Sequence, residues 1–272
     1  MGELRTPDGR TIRYFDAPVP QPRGTILWHH GTPQTGAVIE PIAEAAAARG
    51  LRVISVARPG YPGSSRHAGR RVIDAAEDAL RVADALGIGR FASVGASGGG
   101  PHALACAALA PERVSGVVTF ASLAPYDGDD AWFAWMADDS ALRAAAEGPD
   151  ARARHAETAG FDPASFIDRD WAALSSSWAA LGGDAQAGAA AGPSGEIDDD
   201  LAYVAPWGFA LEQVAAPTLL VHGGADRVVP VTHAERLLRH LPDAELWLRP
   251  KEGHVSVLTA LEVTLDWLAG AR

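Results

Sequence analysis

The chain has 272 residues, a length that suits a single α/β domain or a core domain that carries an insertion. Hydrophobic residues make up 47% of it, which is ordinary for a protein that buries a full core and argues against disorder over the whole length. With 23 basic and 34 acidic residues, the formal net charge is −11. A surface of this charge repels the phosphates of nucleic acids and the headgroups of anionic lipids, so we expect neither nucleic acid nor a membrane as a partner.

The first ten residues are polar and contain no apolar segment of the kind that a secretory signal needs. Further along the chain, no apolar run is long enough to span a bilayer. Cys106 is the single cysteine, so neither an intramolecular disulfide nor a cysteine metal cluster is expected, which fits a reducing compartment. These features predict a cytoplasmic location.

Short β-rich runs alternate with helix-like runs over most of the chain. Two runs at 3–6 and 11–15, joined by a Pro-Asp-Gly-Arg turn, predict an antiparallel hairpin. The strands that follow read as nearly continuous apolar runs, which is typical of strands covered on both faces, and their alternation with helices predicts a mostly parallel, doubly wound sheet. The β-rich runs lie at 24–28, 51–56, 91–94, 114–120, 218–222 and 245–248, and the clearest helix-like runs at 38–49, 72–86 and 101–109.

The alternation stops near Pro125 and resumes near Pro217. The segment between them is rich in aromatic residues and looks helical, which predicts a helical cap over residues 125–216 inserted into a core made of residues 1–124 and 217–272. The glycine- and alanine-rich stretch at 182–195 predicts a break between helices of this cap.

A G-x-S-x-G pentapeptide at 95–99 follows a predicted strand and opens a predicted helix. This strand–turn–helix context is typical of a nucleophile elbow, in which a strained turn lifts a serine hydroxyl above the edge of the sheet. Ser97 is therefore the candidate nucleophile. The backbone N–H of Gly98 would lie at the start of the helix, where it can stabilise a developing oxyanion.

A serine nucleophile needs a base, and the base needs a carboxylate that fixes its tautomer. His254 follows a strand-like run and precedes the last helix, so we expect it at the carboxyl edge of the sheet. Asp226 directly follows the run 218–222 and should reach the same edge. The chain order Ser97, Asp226, His254 is the order expected where a serine nucleophile lies on such an elbow. Asp127, which follows the run 114–120, is an alternative for the acid.

The second donor of an oxyanion hole is expected in the loop at 29–33, which reads His-His-Gly-Thr-Pro. Its glycine allows close approach of the backbone, and the N–H of Thr32 can point at the site. We interpret His30 as a residue that braces the loop. No HExxH pattern or cysteine pair is present in the sequence, so we expect no metal and no cofactor.

The elbow should face an aromatic-rich cap, and this predicts an apolar pocket for a small or medium hydrophobic ester, thioester or lactone. The predicted lining residues are Trp28, Tyr126, Trp132, Phe133 and Val255.

Several motifs together resemble the α/β-hydrolase superfamily. They are the His-Gly-x-Pro loop at 30–33, the Arg-Pro-Gly-Tyr-Pro-Gly-Ser loop at 58–64, the elbow at 95–99, the Gly-Gly-x-Asp turn at 223–226 and the Gly-His pair at 253–254. The resemblance implies an α/β-hydrolase fold in which Ser97 is the nucleophile, Asp226 the acid and His254 the base, with Thr32 and Gly98 as oxyanion donors.

Within this superfamily the chain looks most like a carboxylesterase or a proline iminopeptidase. Epoxide hydrolases and haloalkane dehalogenases of this fold carry aspartate as the nucleophile, so Ser97 disfavours both. Proline iminopeptidases usually have tryptophan after the elbow serine, where this chain has Gly98. Cofactor-free haloperoxidases, C–C bond hydrolases and receptor-like ligand binders with little turnover share the same triad, and the resemblance leaves these alternatives open.

Overall fold

Eight strands form one sheet in the computed structural model, which describes residues 1–270. The spatial order is β1-β2-β4-β3-β5-β6-β7-β8; β1 and β2 pair antiparallel, β2 joins β4 antiparallel, and all the other neighbours are parallel. The strands are β1 (Gly2–Arg5), β2 (Thr11–Ala17), β3 (Gly24–His29), β4 (Leu51–Val56), β5 (Phe91–Ala96), β6 (Val114–Phe120), β7 (Thr218–Gly223) and β8 (Ala244–Arg249).

Helices cover both faces of this sheet. On one face, residues of α1 (Glu40–Ala47) and α10 (Leu261–Gly270) join a cluster of buried apolar side chains. On the other face, residues of α2 (Val72–Ala85), α3 (Gly100–Leu109) and α9 (Thr232–His240) join a second cluster. Alternate residues of one strand therefore enter different clusters, and every residue of β5 and β7 is buried. The predicted doubly wound α/β fold is confirmed.

Strand and helix positions agree with the sequence-based expectations to within a few residues. The N-terminal hairpin forms as expected, with Arg5 opposite Thr11 across the turn. Most of the parallel strands extend one or two residues further toward the carboxyl edge of the sheet than the apolar runs that predicted them. In β5 and β7 the added residues are glycine or alanine, which keep the strand hydrogen bonds but do not lengthen the apolar run.

A helical insert, defined here as residues 125–216, joins β6 to β7. Its helices are α4 (Ser140–Glu147), α5 (Pro149–Ala156), α6 (Asp168–Leu174), α7 (Ala179–Ala190) and α8 (Ser194–Val204). The predicted break at 182–195 is wrong over most of its length, since α7 runs through it to Ala190 and only a short turn separates α7 from α8. Alanine is the strongest helix former, and here it outweighs the glycines that suggested a break.

The insert contacts the core on the side where the parallel strands end, because α6 touches the loop after β8 and α8 touches the loop after β3. The division into core and cap, with bounds at 1–124, 125–216 and 217–272, stays a prediction, and its last two residues lie outside the described residues. Among residues 1–270, no helix combines the length and the apolar character that crossing a membrane requires.

Candidate active site

Ser97 stands on a sharp turn between β5 and α3, as the elbow pattern predicted. Its φ is +53°, a left-handed conformation that is strained for a residue with a side chain. The turn is tight because Gly95 and Gly99 approach backbone closely: a Cβ on Gly99 would overlap the carbonyl oxygen of His29 on the neighbouring strand. The local sequence thus holds the hydroxyl at the carboxyl edge of the sheet.

The imidazole of His254 joins Ser97 to Asp226 in one chain of hydrogen bonds. The Ser97 hydroxyl donates to Nε2 of His254 over 2.9 Å, and Nδ1 donates to Oδ2 of Asp226 over 2.9 Å. Three residues that are distant in sequence therefore meet, in the order and at the edge that the sequence predicted. Such an arrangement can activate a hydroxyl, because the histidine accepts its proton and the carboxylate stabilises the imidazolium that forms.

Asp226 is held by the turn that follows β7. Its Oδ1 accepts backbone N–H bonds from Val228 and Val229, each 2.9 Å long, which leaves Oδ2 directed at the histidine. Asp127, the alternative acid, lies elsewhere: just over half of its side chain is exposed, and its Oδ2 accepts a bond of 2.6 Å from Arg236 of α9. The geometry favours Asp226 as the partner of the histidine.

Two opposing effects act on the pKa of His254. Burial lowers it, since a charged imidazolium loses its water, but the negative charge of Asp226 and the hydrogen bond to it raise it, and the charge of Asp170 adds to the rise. The balance lies above the ordinary value, so the pKa of His254 is raised. An imidazole with this bias accepts a proton readily from a neighbouring hydroxyl.

The loop after β3 lies against the elbow, and a buried ion pair holds it. The Arg58 guanidinium donates to the carbonyl oxygens of His30 and Gly31, to Oγ1 of Thr32 over 3.0 Å, and to Oδ2 of Asp199 over 2.7 Å. Arg58 and Asp199 are both almost wholly buried. Because Asp199 belongs to α8, the helical insert fixes the backbone of the predicted oxyanion loop through this pair.

Tyr203 of α8 ties the two halves of the predicted oxyanion hole together. Its hydroxyl donates to the carbonyl oxygen of Gly98 over 2.9 Å and lies 3.1 Å from Oγ1 of Thr32. A Cβ at position 98 would overlap that hydroxyl, which accounts for glycine after the elbow serine. His30 braces the loop, since its Nε2 accepts the backbone N–H of Arg58 over 3.2 Å.

A family model for the α/β hydrolase fold matches residues 24–261, most of the chain. The chain belongs to the α/β hydrolase fold family. No protein of curated function matches its sequence significantly. At the level of the family the protein is a hydrolase.

Solved structures resemble this α/β hydrolase over its whole length. A bromoperoxidase from Bacillus anthracis is 22% identical with a TM-score of 0.75, and the match covers 99% of this chain and 100% of that one. An esterase from Thermogutta terrifontis is 21% identical with a TM-score of 0.71, covering 100% and 99%. A hydrolase from Pseudomonas aeruginosa is 22% identical with a TM-score of 0.70, covering 99% and 98%. At these identities the likeness shows the fold alone.

The predicted lining residues of this α/β hydrolase are mostly core residues. Trp28 is 3% exposed and packs in the cluster that α1 and α10 cover. Trp132 is fully buried; it donates to the carbonyl oxygen of Ala124 and packs edge-on against His233 of α9, 4.8 Å between ring centres. Tyr126 and Phe133 pack on Trp132 in the same cluster. Trp132, Tyr126 and Phe133 thus pack together at the start of the insert, and Trp132 packs against α9 of the core.

Phe166 is an aromatic residue that lies beside His254, and it was not among the predicted lining residues. Its ring stacks on the imidazole, with the planes 18° apart and the centres 6.4 Å apart. Phe161 and Trp171 pack against Phe166 and are 59% and 41% exposed. Val255 is buried directly after the histidine. An exposed aromatic surface therefore adjoins the triad, but it comes from residues 161–171 and not from residues 126–133.

An open groove of about 520 Å³ lies on another part of the surface, between α9 and the segment after β6. Polar pairs line it, Asp127 with Arg236 and Glu212 with His240, and its lining residues include none of Ser97, Asp226 and His254. The groove is therefore separate from the hydrogen-bonded chain of Ser97, His254 and Asp226. Within residues 1–270, no group of three or more His, Cys, Asp or Glu side chains is arranged to hold a metal ion.

Proposed function

We propose that the protein hydrolyses small or medium apolar carboxylic esters through an acyl-enzyme on Ser97. The observation that carries this proposal is the unbroken chain of two 2.9 Å hydrogen bonds from the Ser97 hydroxyl through His254 to Asp226. A hydroxyl bonded to an imidazole, which is itself oriented by a carboxylate, is the arrangement that activates serine for attack on a carbonyl carbon.

In the proposed reaction, Oγ of Ser97 bonds to the ester carbon while its proton passes to Nε2 of His254. The carbonyl oxygen becomes an oxyanion, which the backbone N–H groups of Thr32 and Gly98 stabilise. His254 then gives its proton to the departing alcohol, and the acyl group stays on the serine. A water molecule, deprotonated by the same imidazole, attacks the acyl carbon and releases the acid, and the proton returns to Ser97.

The aromatic surface of Phe161, Phe166 and Trp171 supports an apolar substrate. Phe166 lies on the imidazole, so an acyl or alcohol group that extends past the histidine meets apolar area instead of water. Burial of such area stabilises binding by about 25 cal/mol per Å². A chain-length series of p-nitrophenyl esters therefore tests the substrate class: we expect kcat/KM to rise from acetate to butyrate or hexanoate.

The serine variant tests the mechanism directly. Ser97→Ala should lose labelling by a fluorophosphonate probe, and kcat for p-nitrophenyl butyrate should fall roughly 10⁴-fold or more, because within residues 1–270 no other hydroxyl is hydrogen-bonded to the His254 imidazole. Ser177→Ala, in an exposed part of the insert, is the matched control and should keep both activities. Labelling or hydrolysis that persists in Ser97→Ala would remove the serine from the mechanism.

Sustained turnover separates an enzyme from a binder of the same fold. An esterase should release p-nitrophenol at a steady rate long after one equivalent has formed. A single burst without further release would favour a ligand-binding protein that acylates and stops.

A further inference from the structure

Asp170 belongs to α6 of the helical insert, and its carboxylate bonds to the loop that carries His254. Oδ1 accepts the backbone N–H groups of Val255 and Ser256, each over 2.8 Å, and Oδ2 lies 3.3 Å from the backbone nitrogen of His254. Three consecutive N–H groups thus converge on one carboxylate. Bonds from N–H groups to an ionised acceptor are shorter and stronger than those to a neutral one.

The site that Asp170 occupies leaves it little freedom. The residue is 0% exposed, and Oδ2 also accepts the N–H of Ile167 over 3.1 Å at the start of its own helix. A Cβ at Gly253 would overlap that same oxygen, so the loop comes this close only because the residue before His254 is glycine. A buried carboxylate with this many donors restricts the position of the histidine backbone.

Asp170 also adds negative charge near the imidazole. His254 faces two carboxylates, Asp226 at its Nδ1 and Asp170 at its backbone. His222 on β7 lies behind Asp226, and burial lowers its pKa, which keeps it neutral near neutral pH. Arg169 of α6 and Glu252 of the loop pair with each other over 3.2 Å. The negative charges of Asp226 and Asp170 both favour the protonated form of the imidazole.

We propose that Asp170 is a positioning residue for the reaction. It holds the imidazole of His254 within hydrogen-bond distance of the Ser97 hydroxyl, and it favours the imidazolium that forms during attack. This inference rests on the proposed function of the triad. If Asp170 has this role, the insert takes part in catalysis, because moving α6 away from the core would release the loop that carries the base. An insert that serves only as a cover would have no such effect on the histidine.

The test compares Asp170→Asn with Asp168→Asn in the full-length protein. Both changes remove one negative charge from the first turn of α6, but Asp168 is exposed, and in the described part of the chain no hydrogen bond or ion pair joins its side chain to the loop that carries His254. The readout is the NMR titration of the His254 imidazole, assigned by its loss in His254→Ala. We expect its midpoint to fall by about half a pH unit in Asp170→Asn and to stay unchanged in Asp168→Asn. An equal midpoint in both variants would overturn the proposal.

Kinetics provide the second readout. With p-nitrophenyl butyrate, kcat of Asp170→Asn should fall about tenfold or more while KM changes less, because a misplaced base slows proton transfer without removing the substrate surface. The acid limb of kcat/KM should move in the same direction as the NMR midpoint. A rise in KM with unchanged kcat would assign Asp170 to substrate binding and contradict the positioning role.

Wild-type protein supplies a measurement that does not depend on the folding of a variant. The amide hydrogens of Val255 and Ser256 should exchange with solvent slowly, as those of ordered secondary structure do, because both are bonded to the buried carboxylate. Fast exchange of both would show that the contact is not maintained and would overturn the proposal. Neither the exchange nor the histidine titration requires activity, so a failed esterase assay leaves this test intact.

Discussion

The loop that carries Ser97 and the loop that carries His254 meet at one hydrogen bond, but different parts of the chain hold them. The serine turn is built by its own glycines, which let it pack against β3 within a few residues of the nucleophile. The histidine loop depends on Asp170, which is 84 residues away in the sequence and belongs to the insert. Tyr203 of the insert also bonds to Gly98, but the tight shape of the serine turn comes from the core, whereas the backbone of the histidine loop is bonded to a carboxylate of the insert.

The acid of the triad gives the largest expected effect. Asp226→Asn should lower kcat about 10⁴-fold, because an amide holds the imidazole in the wrong tautomer and leaves the imidazolium without a counter-charge. The measurement is steady-state hydrolysis of p-nitrophenyl butyrate, with circular dichroism as evidence of folding. Asp127→Asn is the control and should stay within twofold of wild type, since its carboxylate pairs with Arg236 on the surface. The reverse outcome would transfer the acid role to Asp127.

A glycine of the serine turn gives the next effect, on stability. Gly99→Ala should lower the free energy of unfolding by about 3 kcal/mol or more, or prevent folding, because the new Cβ meets the backbone of His29. Gly89→Ala adds the same methyl group where nothing lies within 4 Å and should change stability by less than about 0.5 kcal/mol. Urea unfolding measures both. Equal stability of the two variants would show that the serine turn is not built by close backbone approach.

The pH dependence gives the smallest effect and tests the charge around the histidine. Hydrolysis needs the neutral imidazole, so kcat/KM should fall as the pH drops through the pKa of His254, and the raised pKa puts this midpoint above 6.5. Stability has the opposite sign: a raised pKa contributes stability that is present below the unfolded value and is lost as the pH rises through the folded one. A midpoint of kcat/KM below 6.5 would mean that burial outweighs the two carboxylates.

Sequence patterns predicted the elements whose cause is local. The apolar runs, the hairpin and the elbow each follow from periodicity or glycine spacing within a few residues, and the structure has all of them. The alternation of strand and helix also predicted which chain segments end at the same edge, because parallel strands share their carboxyl side. For this reason the sequence alone predicted that Ser97, Asp226 and His254 lie at the same edge of the sheet.

Other residues of the site have no local signature. Asp170 and Asp199 each stand near other acidic residues of the insert, yet both are fully buried. In the sequence, Arg58 stood out only as part of a loop motif. Its ion pair with Asp199 joins residues 141 positions apart, which no local pattern predicts. Phe166 and Trp132 are both aromatic residues of the insert, but Phe166 stacks on His254 and Trp132 is buried in the core.

By itself, the sequence determined the class of fold and the identity of the three residues that meet at the sheet edge, since both depend on short-range pattern and on chain order. Only the tertiary structure decided what holds those residues. Several of the side chains that brace the site, Asp170, Asp199 and Tyr203, come from helices of the insert. Whether a given acidic or aromatic residue reaches the core depends on packing between segments far apart in the chain, on which local pattern carries no information.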